Sequence, residues 1–335
     1  MSSVIVEVKR IDRINPHPNA ERLELAIVGG WQCVVPIGKY QAGSLITYIP
    51  PDSVLPEPLS DELGVTKYLS KGRVRAAKMR GESSFGLVID PRGDEGENVA
   101  DKLGITKYVP PLKFNAGECE TPDDRFQQYT DIENLRNYPT MFDAGERVIA
   151  TEKIHGTNAR VGMIREPDGT WKRVAGSRTM QRRDAEGSLY WFPWKIPAVE
   201  AMLTAFSEED TRMQVVLFGE VYGKVQSMRY GLPNGLGFRA FDMMLNGRYI
   251  DHDAFAISCK TYGVEMVPVI YDGPYSLDAI AAVSKGGSLI PGADHIREGV
   301  VVRPECERRH EKLGRLILKY VSVEYLCGDF DGANE

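Results

Sequence analysis

The chain lacks the long apolar segments that membrane insertion or secretion would need. No stretch of its 335 residues approaches the roughly 20 consecutive apolar residues of a membrane-spanning helix. The first residues, MSSVIVEVKRID, have no basic segment followed by an apolar run, so we expect no secretory signal. Hydrophobic residues are 42% and charged residues 26% of the chain, which excludes a disordered, collagen-like or coiled-coil protein. At about 150 residues per domain, the length predicts two domains.

Cysteine is scarce and scattered. The chain has five cysteines, an odd number, and no CxxC pair. A disulfide framework or a zinc site would need paired, closely spaced residues. We therefore expect reduced thiols in a cytoplasmic protein. The cysteines are Cys33, Cys119, Cys259, Cys306 and Cys327.

Positive charge is not in excess. There are 41 Lys and Arg residues against 47 Asp and Glu, a net charge of −6. Taken alone, this argues weakly against a nucleic-acid partner, because phosphate-binding proteins usually show a basic excess. The stretch 67–80, KYLSKGRVRAAKMR, is an exception, with six cations and no acid. It is either a phosphate-binding face or a solvated strand edge.

The first 90 residues or so have the pattern of short strands separated by turns. Five such strands predict a small β-barrel of the OB type. Pro16 and Pro18 argue against a strand there, and 19–22 could start a single helical turn. The predicted strands are 4–11, 23–30, 31–38, 44–51 and 84–90.

A polar, Gly- and Pro-containing connector follows over residues 91–145, and a mixed α/β pattern extends from about Glu146 to Leu326. The predicted strands are 147–153, 170–176, 214–220, 237–245, 298–304 and 314–321. The predicted helices are 198–206, 252–263 and 276–286, of which the last two end at glycine.

The segment 151–158, TEKIHGTN, is the most informative. Lys153 ends an apolar strand just before a glycine turn, which would hold its amine partly desolvated at the lip of a sheet. Desolvation and nearby cations lower a lysine pKa and make the amine nucleophilic near neutral pH. A surface lysine beside a turn explains these eight residues equally well.

Five later positions favour the nucleophile. Arg178 follows a strand, Glu220 ends one, Phe241 lies in the aromatic strand FRAFD, and Glu298 and Lys319 belong to two further strands. Each alone is common. The order lysine, arginine, glutamate, phenylalanine, glutamate, lysine indicates an ATP site, because it supplies a nucleophile, phosphate cations, a ribose acceptor, an adenine platform and a metal acceptor.

These residues resemble the covalent nucleotidyltransferases, the superfamily of RNA ligases, DNA ligases and capping enzymes. Residues 153–158, KIHGTN, are similar to the nucleophile motif of the nick-sealing RNA ligases, whereas DNA ligases more often have an acidic residue and glycine after the lysine. The stretches 129–134, YTDIEN, and 321–326, VSVEYL, also resemble that branch. The resemblance covers residues 125–328.

The resemblance implies a role for each position. Lys153 would attack the α-phosphorus of ATP and hold AMP as a phosphoramidate, with Mg²⁺ or Mn²⁺ as the metal. The other roles would be adenine binding by Glu152; phosphate and metal-water contacts by His155 and Asn158; nucleotide orientation by Arg178; ribose contact, and a share in metal binding, by Glu220; adenine stacking by Phe241, or by Phe238 if the register differs; metal binding by Glu298; and α-phosphate contact by Lys319.

One position departs from the family pattern. The last motif of the family usually has two lysines separated by one residue, but Val321 stands where the second is expected after Lys319. Lys312, Arg315 or Arg303 could substitute.

The order of the domains also distinguishes branches. DNA ligases and capping enzymes have an OB domain after the core, whereas we expect none in the 16 residues that follow Lys319 (335 − 319). The segment 14–25, INPHPNAERLEL, instead resembles tRNA-binding OB domains, with His17 in a structural role in its Pro-rich turn. The predicted domains are an OB fold at 1–95, a linker at 96–124 and a nucleotidyltransferase domain at 125–335.

This order resembles an RNA ligase subgroup whose N-terminal OB domain engages the RNA strand bearing the 3′-hydroxyl. The fold class predicted is α+β, an OB-fold β-barrel followed by a mixed α/β domain of antiparallel sheets. In the OB domain, Arg73 and Arg75 on one strand face, together with Lys78, would contact RNA.

The expected function is an ATP-dependent RNA ligase that joins 3′-hydroxyl and 5′-phosphate ends, acting on nicked duplex RNA without an obligate protein partner. The alternatives are a DNA ligase that tolerates mixed strands, and a non-catalytic OB-fold RNA-binding protein. The missing second lysine favours the last, whereas Lys153, Glu220 and Glu298 count against it because binding alone needs no nucleophile.

Overall fold

The chain forms two compact units in the computed structural model, which describes residues 4–109 and 119–328. One unit comprises Met1–Leu112 with Val323–Glu335, and the other Lys113–Ser322. The predicted linker includes residues 110–118, which lie outside the described residues. The predicted domain boundaries stay a prediction. Among the described helices, none is long and apolar enough to cross a membrane.

The first unit consists of short antiparallel strands around two apolar cores. Its larger sheets have the orders β2-β3-β4 and β1-β5-β9, and β7 pairs with β8. The strands are β1 (Glu7–Arg10), β2 (Arg13–Pro16), β3 (Leu23–Val28), β4 (Trp31–Pro36), β5 (Leu45–Ile49), β6 (Ser53–Val54), β7 (Ala76–Met79), β8 (Glu82–Phe85), β9 (Leu87–Ile89) and β10 (Thr106–Lys107), and the helices are α1 (Glu57–Glu62) and α5 (Val323–Leu326).

The prediction that prolines exclude a strand near residue 16 is wrong. Strand β2 pairs with β3 and ends at Pro16 on the edge of its sheet, where a missing N–H breaks no ladder. Residues 19–22 form a turn, not a helical turn. The structural role of His17 is confirmed, because its Nδ1 accepts the Asn19 N–H at 3.1 Å and its Nε2 lies 3.0 Å from the Met79 carbonyl oxygen.

The second unit contains two large sheets with helices on their outer faces. One sheet has five strands in the order β11-β23-β20-β12-β19, and the other has six antiparallel strands in the order β15-β14-β13-β16-β17-β18. Its elements are β11 (Glu133–Asn134), β12 (Arg147–Lys153), β13 (Thr157–Arg165), β14 (Trp171–Ser177), β15 (Gln181–Arg182), α2 (Pro197–Ser207), β16 (Gln214–Gly223), β17 (Leu236–Leu245), β18 (Arg248–Tyr249), α3 (His252–Tyr262), β19 (Val269–Pro274), α4 (Leu277–Val283), β20 (Gly299–Pro304), β21 (Arg309–His310), β22 (Gly314–Arg315) and β23 (Leu318–Val321).

Sequence reasoning missed one central strand, β13. It bonds to β14 on one side and to β16 on the other, and most of its residues are buried. A strand covered on both faces shows no alternation of apolar and polar residues. Gly162 is required at its centre, because a Cβ there would lie 2.4 Å from the Val215 carbonyl oxygen. The predicted strand 314–321 is also wrong, since it is divided into β22 and β23.

A buried ion cluster links the two sheets. Asp242 of β17 has no exposed surface, and its Oδ2 lies 2.6 Å from Arg315 Nη1 and 3.4 Å from Arg303 Nη1. The Tyr129 hydroxyl donates to the same oxygen at 2.8 Å. Burial raises the pKa of Asp242, but the two guanidinium groups lower it more, so the net pKa is below the usual value. Arg303 belongs to β20, so the cluster joins the five-stranded sheet to the six-stranded one.

We predict that Asp242→Asn destabilises the protein by about 3 kcal/mol or more, because it leaves two buried guanidinium groups without their carboxylate. The pKa of Asp242 is lower in the folded chain, so its contribution is present above the unfolded value of about 3.9 and is lost as the pH falls through the folded value. The difference between wild type and variant in urea unfolding should therefore shrink below about pH 4.

The matched control is Asp272→Asn, which removes an exposed ion pair with Arg147. Such pairs contribute about 1 kcal/mol or less. Equal effects of the two substitutions would contradict a structural role for the buried cluster.

Candidate active site

The nucleophile candidate Lys153 is the last residue of β12. Its Nζ lies 2.6 Å from Glu298 Oε1, and about a quarter of its side chain is exposed (26%). Glu298 directly precedes Gly299, the residue opposite Lys153 in the ladder between β12 and β20. Adjacent strand ends therefore bring the lysine and the carboxylate together.

The six-stranded sheet contributes a second carboxylate. Glu220 of β16 stands opposite Asn158 of β13 and accepts the Gly156 N–H. The net pKa of Glu220 is raised to about 8, chiefly by burial and further by the charge of Glu298, while Lys153 and the Gly156 N–H lower it. Asn158 Oδ1 is buried, with no hydrogen-bond partner among the described residues. Both side chains thus offer oxygen atoms to a cation or a polar ligand.

The pKa of Lys153 differs from the prediction. Burial lowers it, as expected, but Glu298 and Glu220 raise it more, so the net pKa is above the usual lysine value. The sequence indicated the strand end and both carboxylates of the site, but not that the carboxylates lie close enough to Lys153 to raise its pKa. The ammonium form is therefore stabilised until the charges around it change.

The turn after Lys153 is held by the loop 224–235, which connects β16 to β17. The His155 N–H donates to the Tyr230 hydroxyl at 2.7 Å, and the Gln226 amide donates to the Gly156 carbonyl. Gly156 is required, because a Cβ would lie 2.4 Å from the Val221 carbonyl oxygen. Tyr230 is buried with φ of 50°, an unusual conformation for a bulky residue.

Tyr230 also contacts the loop that precedes Glu298. Its ring meets the His295 ring edge to face, with centroids 4.4 Å apart. In the same loop the Leu289 N–H donates to Glu152 Oε2 at 2.8 Å. Glu152 is buried and its Oε1 has no partner among the described residues. An unpartnered buried acceptor of this kind suits a ligand N–H group.

The geometry favours Phe241 over Phe238 as the aromatic platform. Gly219 and Phe218 pair with Ala240 and Asp242, so Phe241 is the extra residue of a β-bulge. It is half-buried beside Tyr129, with ring centroids 4.9 Å apart. Phe238 is buried in the core beneath the helices.

Lys319 and Lys153 project from one face of their sheet. Lys319 is opposite Val301, which is opposite Thr151, two residues before Lys153. Arg178 lies in the turn after β14, is half exposed and pairs with Asp131.

None of the three cations considered as substitutes for the missing second lysine is available at the position of Val321. Arg303 and Arg315 bond to Asp242, and Lys312 is exposed beside the short β21–β22 pair. Val321 itself is buried opposite Gly299. A cation that the sequence did not indicate, Arg136, donates to the Val321 carbonyl at 2.9 Å and stacks 3.6 Å from the centroid of the Tyr320 ring.

The carboxylate oxygens of Glu298 and Glu220 suit a divalent cation that keeps most of its water ligands better than a cation ligated entirely by protein. Across residues 4–109 and 119–328, no group of three or more His, Cys, Asp or Glu residues could hold a metal ion. Mg²⁺ keeps several waters and needs only one or two carboxylates, a number that Glu298 and Glu220 could provide. His155 Nδ1 lies 3.9 Å from Glu298 Oε2, beside the same carboxylate.

In the first unit, the RNA contacts predicted from the sequence are only partly accessible. Arg75 and Lys78 are exposed. The prediction that Arg73 contacts RNA at the surface is wrong. Arg73 is buried, pairs with Asp52 at 2.7 Å and stacks 3.7 Å from the centroid of the Tyr108 ring. The prediction that Arg73 and Arg75 lie on one face of a strand is also wrong, because strand β7 begins after both residues.

The comparisons with known proteins agree with this architecture. The RNA ligase family model matches residues 146–321, more than half of the chain. The chain belongs to the RNA ligase family. The matched segment contains Lys153, Glu220, Phe241, Glu298 and Lys319. An OB-fold domain model matches residues 5–91, which confirms the OB fold of this RNA ligase and, with the antiparallel sheets of the second unit, the predicted α+β class.

Solved structures of a Naegleria gruberi RNA ligase are similar over nearly the whole chain. One, of a lysine mutant with ATP and Mn, has a TM-score of 0.75 at 23% identity and covers 96% of this chain and 98% of that one. Another, with PPi, has a TM-score of 0.74 at 24% identity and covers 96% and 97%. At this identity the likeness shows the fold. No curated protein matches.

We predict that Tyr230→Phe destabilises the RNA ligase by about 1–3 kcal/mol, because the His155 N–H loses its acceptor in a buried place. Hydrogen exchange should accelerate in the turn 153–156. Urea unfolding and mass-spectrometric hydrogen exchange measure the two effects.

The control is Tyr222→Phe, whose ring packs 5.1 Å from that of Tyr230 but whose hydroxyl bonds no group in the described part of the chain. If exchange at 153–156 changes equally in both variants, the hydroxyl does not hold the turn.

Proposed function

We propose that this RNA ligase uses ATP to join the 3′-hydroxyl and 5′-phosphate ends of a nick in duplex RNA. The observation that carries the proposal is the Lys153–Glu298 contact of 2.6 Å, with Glu220 facing it from the other sheet. The Naegleria structures with ATP and Mn, with AMP and Mn, and with PPi support the choice of nucleotide and metal.

In the first step Lys153 Nζ attacks the α-phosphorus of ATP. A phosphorus–nitrogen bond forms while the bond to the pyrophosphate oxygen breaks. The ammonium group must first lose a proton, and Glu298 Oε1 is within hydrogen-bond distance to receive it. Lys319, on the same sheet face, would balance charge on the α-phosphate.

The nucleoside is proposed to lie between the two sheets. Phe241 would stack on adenine, and the free Oε1 of Glu152 would accept a hydrogen bond from its amino group. Glu220 would accept from the ribose, and Arg178 would exchange Asp131 for a phosphate. A divalent metal held by Glu298 and Glu220 would neutralise charge on the phosphates.

In the later steps AMP passes to the 5′-phosphate of the RNA, and the 3′-hydroxyl then displaces AMP and closes the strand. The OB domain would hold the strand with the 3′-hydroxyl, through exposed cations that include Arg75 and Lys78. The cysteines are all free, which fits the cytoplasm proposed for this enzyme.

The decisive test is labelling with ATP that carries a radioactive α-phosphate. Wild type should form an acid-labile protein adduct, and Lys153→Ala should reduce it to background, because no other amine takes the nucleophile's place. The control Lys260→Ala removes an exposed lysine of α3 and should label normally. No adduct on wild type, or an undiminished adduct on Lys153→Ala, overturns the proposal.

A sealing assay separates the RNA ligase from a DNA ligase with mixed-strand tolerance. Nicked duplexes with RNA or DNA placed separately on each side should be sealed only when the 3′-hydroxyl strand is RNA. Equal sealing with DNA on that side would refute the proposed role of the OB domain.

A further inference from the structure

Two tight turns of the OB unit place a cation in a backbone conformation that disfavours it. Lys71-Gly72 connects Ser70 to Arg73, whose N–H bonds to the Ser70 carbonyl at 3.1 Å, and Arg80-Gly81 connects β7 to β8. The φ angles are 54° and 75° in the first turn and 52° and 91° in the second. Two-residue turns with both φ angles positive favour Asn-Gly or Gly-Gly, because a side chain with a long stem is strained there.

Other turns of this chain follow that preference. Gly29-Gly30 joins β3 to β4, with φ angles of 54° and 81°, and Asn246-Gly247 joins β17 to β18, with 48° and 79°. The fold therefore accepts the favoured residues in the same conformation. The backbone therefore does not require a lysine at position 71 or an arginine at position 80.

No side-chain interaction within the described part of the chain offsets the backbone strain at Lys71 and Arg80. Lys71 and Arg80 are exposed and make no ion pair there. The other cation of the segment 67–80 that is buried, Arg73, is neutralised by Asp52. Lys71 and Arg80 thus present their cationic groups to solvent.

An exposed aromatic residue lies in the same segment. The Tyr68 side chain is 74% exposed, and Lys67 Nζ lies 5.0 Å from the centroid of its ring. Exposed aromatic rings among unpaired cations suit single-stranded nucleic acid, since bases stack on the rings and phosphates meet the cations.

We propose that Lys71 and Arg80 each contact a phosphate of the RNA and that Tyr68 stacks on one of its bases. The inference rests on the proposed function, because it assigns the RNA strand to the OB unit. Neither turn residue was singled out by the sequence, from which Arg73, Arg75 and Lys78 were predicted as the RNA contacts.

The test uses full-length protein without ATP and a fluorescein-labelled nicked RNA duplex whose 3′-hydroxyl strand extends beyond the duplex as a single strand, so that unpaired bases are available to Tyr68. Lys71→Asn and Arg80→Asn should each weaken binding about threefold to tenfold and reduce the slope of log affinity against log salt by about 0.7–0.9. Both should raise the thermal unfolding midpoint by about 2 °C, since asparagine suits the turn better. Weaker binding by a more stable protein cannot come from misfolding.

Tyr68→Ala should weaken binding about fivefold or more with an unchanged salt slope, because stacking releases no counterions. The control Lys102→Asn removes an exposed lysine of the same unit outside the segment and should bind as wild type does. Unchanged affinity and slope in both turn variants, or losses equal to that of Lys102→Asn, overturn the inference. Since binding is measured without ATP, that result is distinct from a missing Lys153 adduct, which overturns the proposed function.

Discussion

The buried cluster around Asp242 is the constraint on which the candidate site depends. Lys153 ends a strand of one sheet and Glu298 directly precedes another strand of that sheet, whereas Glu220 and Asn158 belong to the other sheet. Their side chains meet only if the sheets keep a fixed separation. A fully buried carboxylate that must satisfy two guanidinium groups allows few alternative arrangements, which is the specificity that buried ion clusters can provide. Arg303 also donates to the Phe241 carbonyl at 3.0 Å, so the cluster fixes the aromatic platform as well.

The charges of the residues at the site do not balance. Two carboxylates, Glu298 and Glu220, face one ammonium group, and burial makes a second negative charge costly, as the raised pKa of Glu220 shows. A cation would relieve both carboxylates and weaken their hold on Lys153. The positive charge of that cation would also disfavour the ammonium form of Lys153 and so favour the free amine. The raised lysine pKa is therefore consistent with a nucleophile.

Sequence patterns predicted what local structure determines. The strand 147–153 and the helices near 198–206 and 252–263 were correct to within a residue or so, because their periodicity and ends are encoded nearby. The order of Lys153, Glu220 and Glu298 along the chain was also readable. Strand β13 was not, because burial on both faces removes its alternation. The roles of Tyr230 and Arg136 depend on neighbours distant in sequence, and no local signal marks them.

Arg73 and Lys71 show why charge alone does not identify a nucleic-acid surface. They are two residues apart in one basic segment, yet one is buried against Asp52 and the other is exposed. Backbone conformation separates such residues further. Tyr230 adopts a left-handed conformation that its bond to His155 compensates within the fold. Lys71 and Arg80 adopt the same conformation without an ion pair among the described residues, and this difference from Tyr230 is the observation behind the RNA contacts proposed for them.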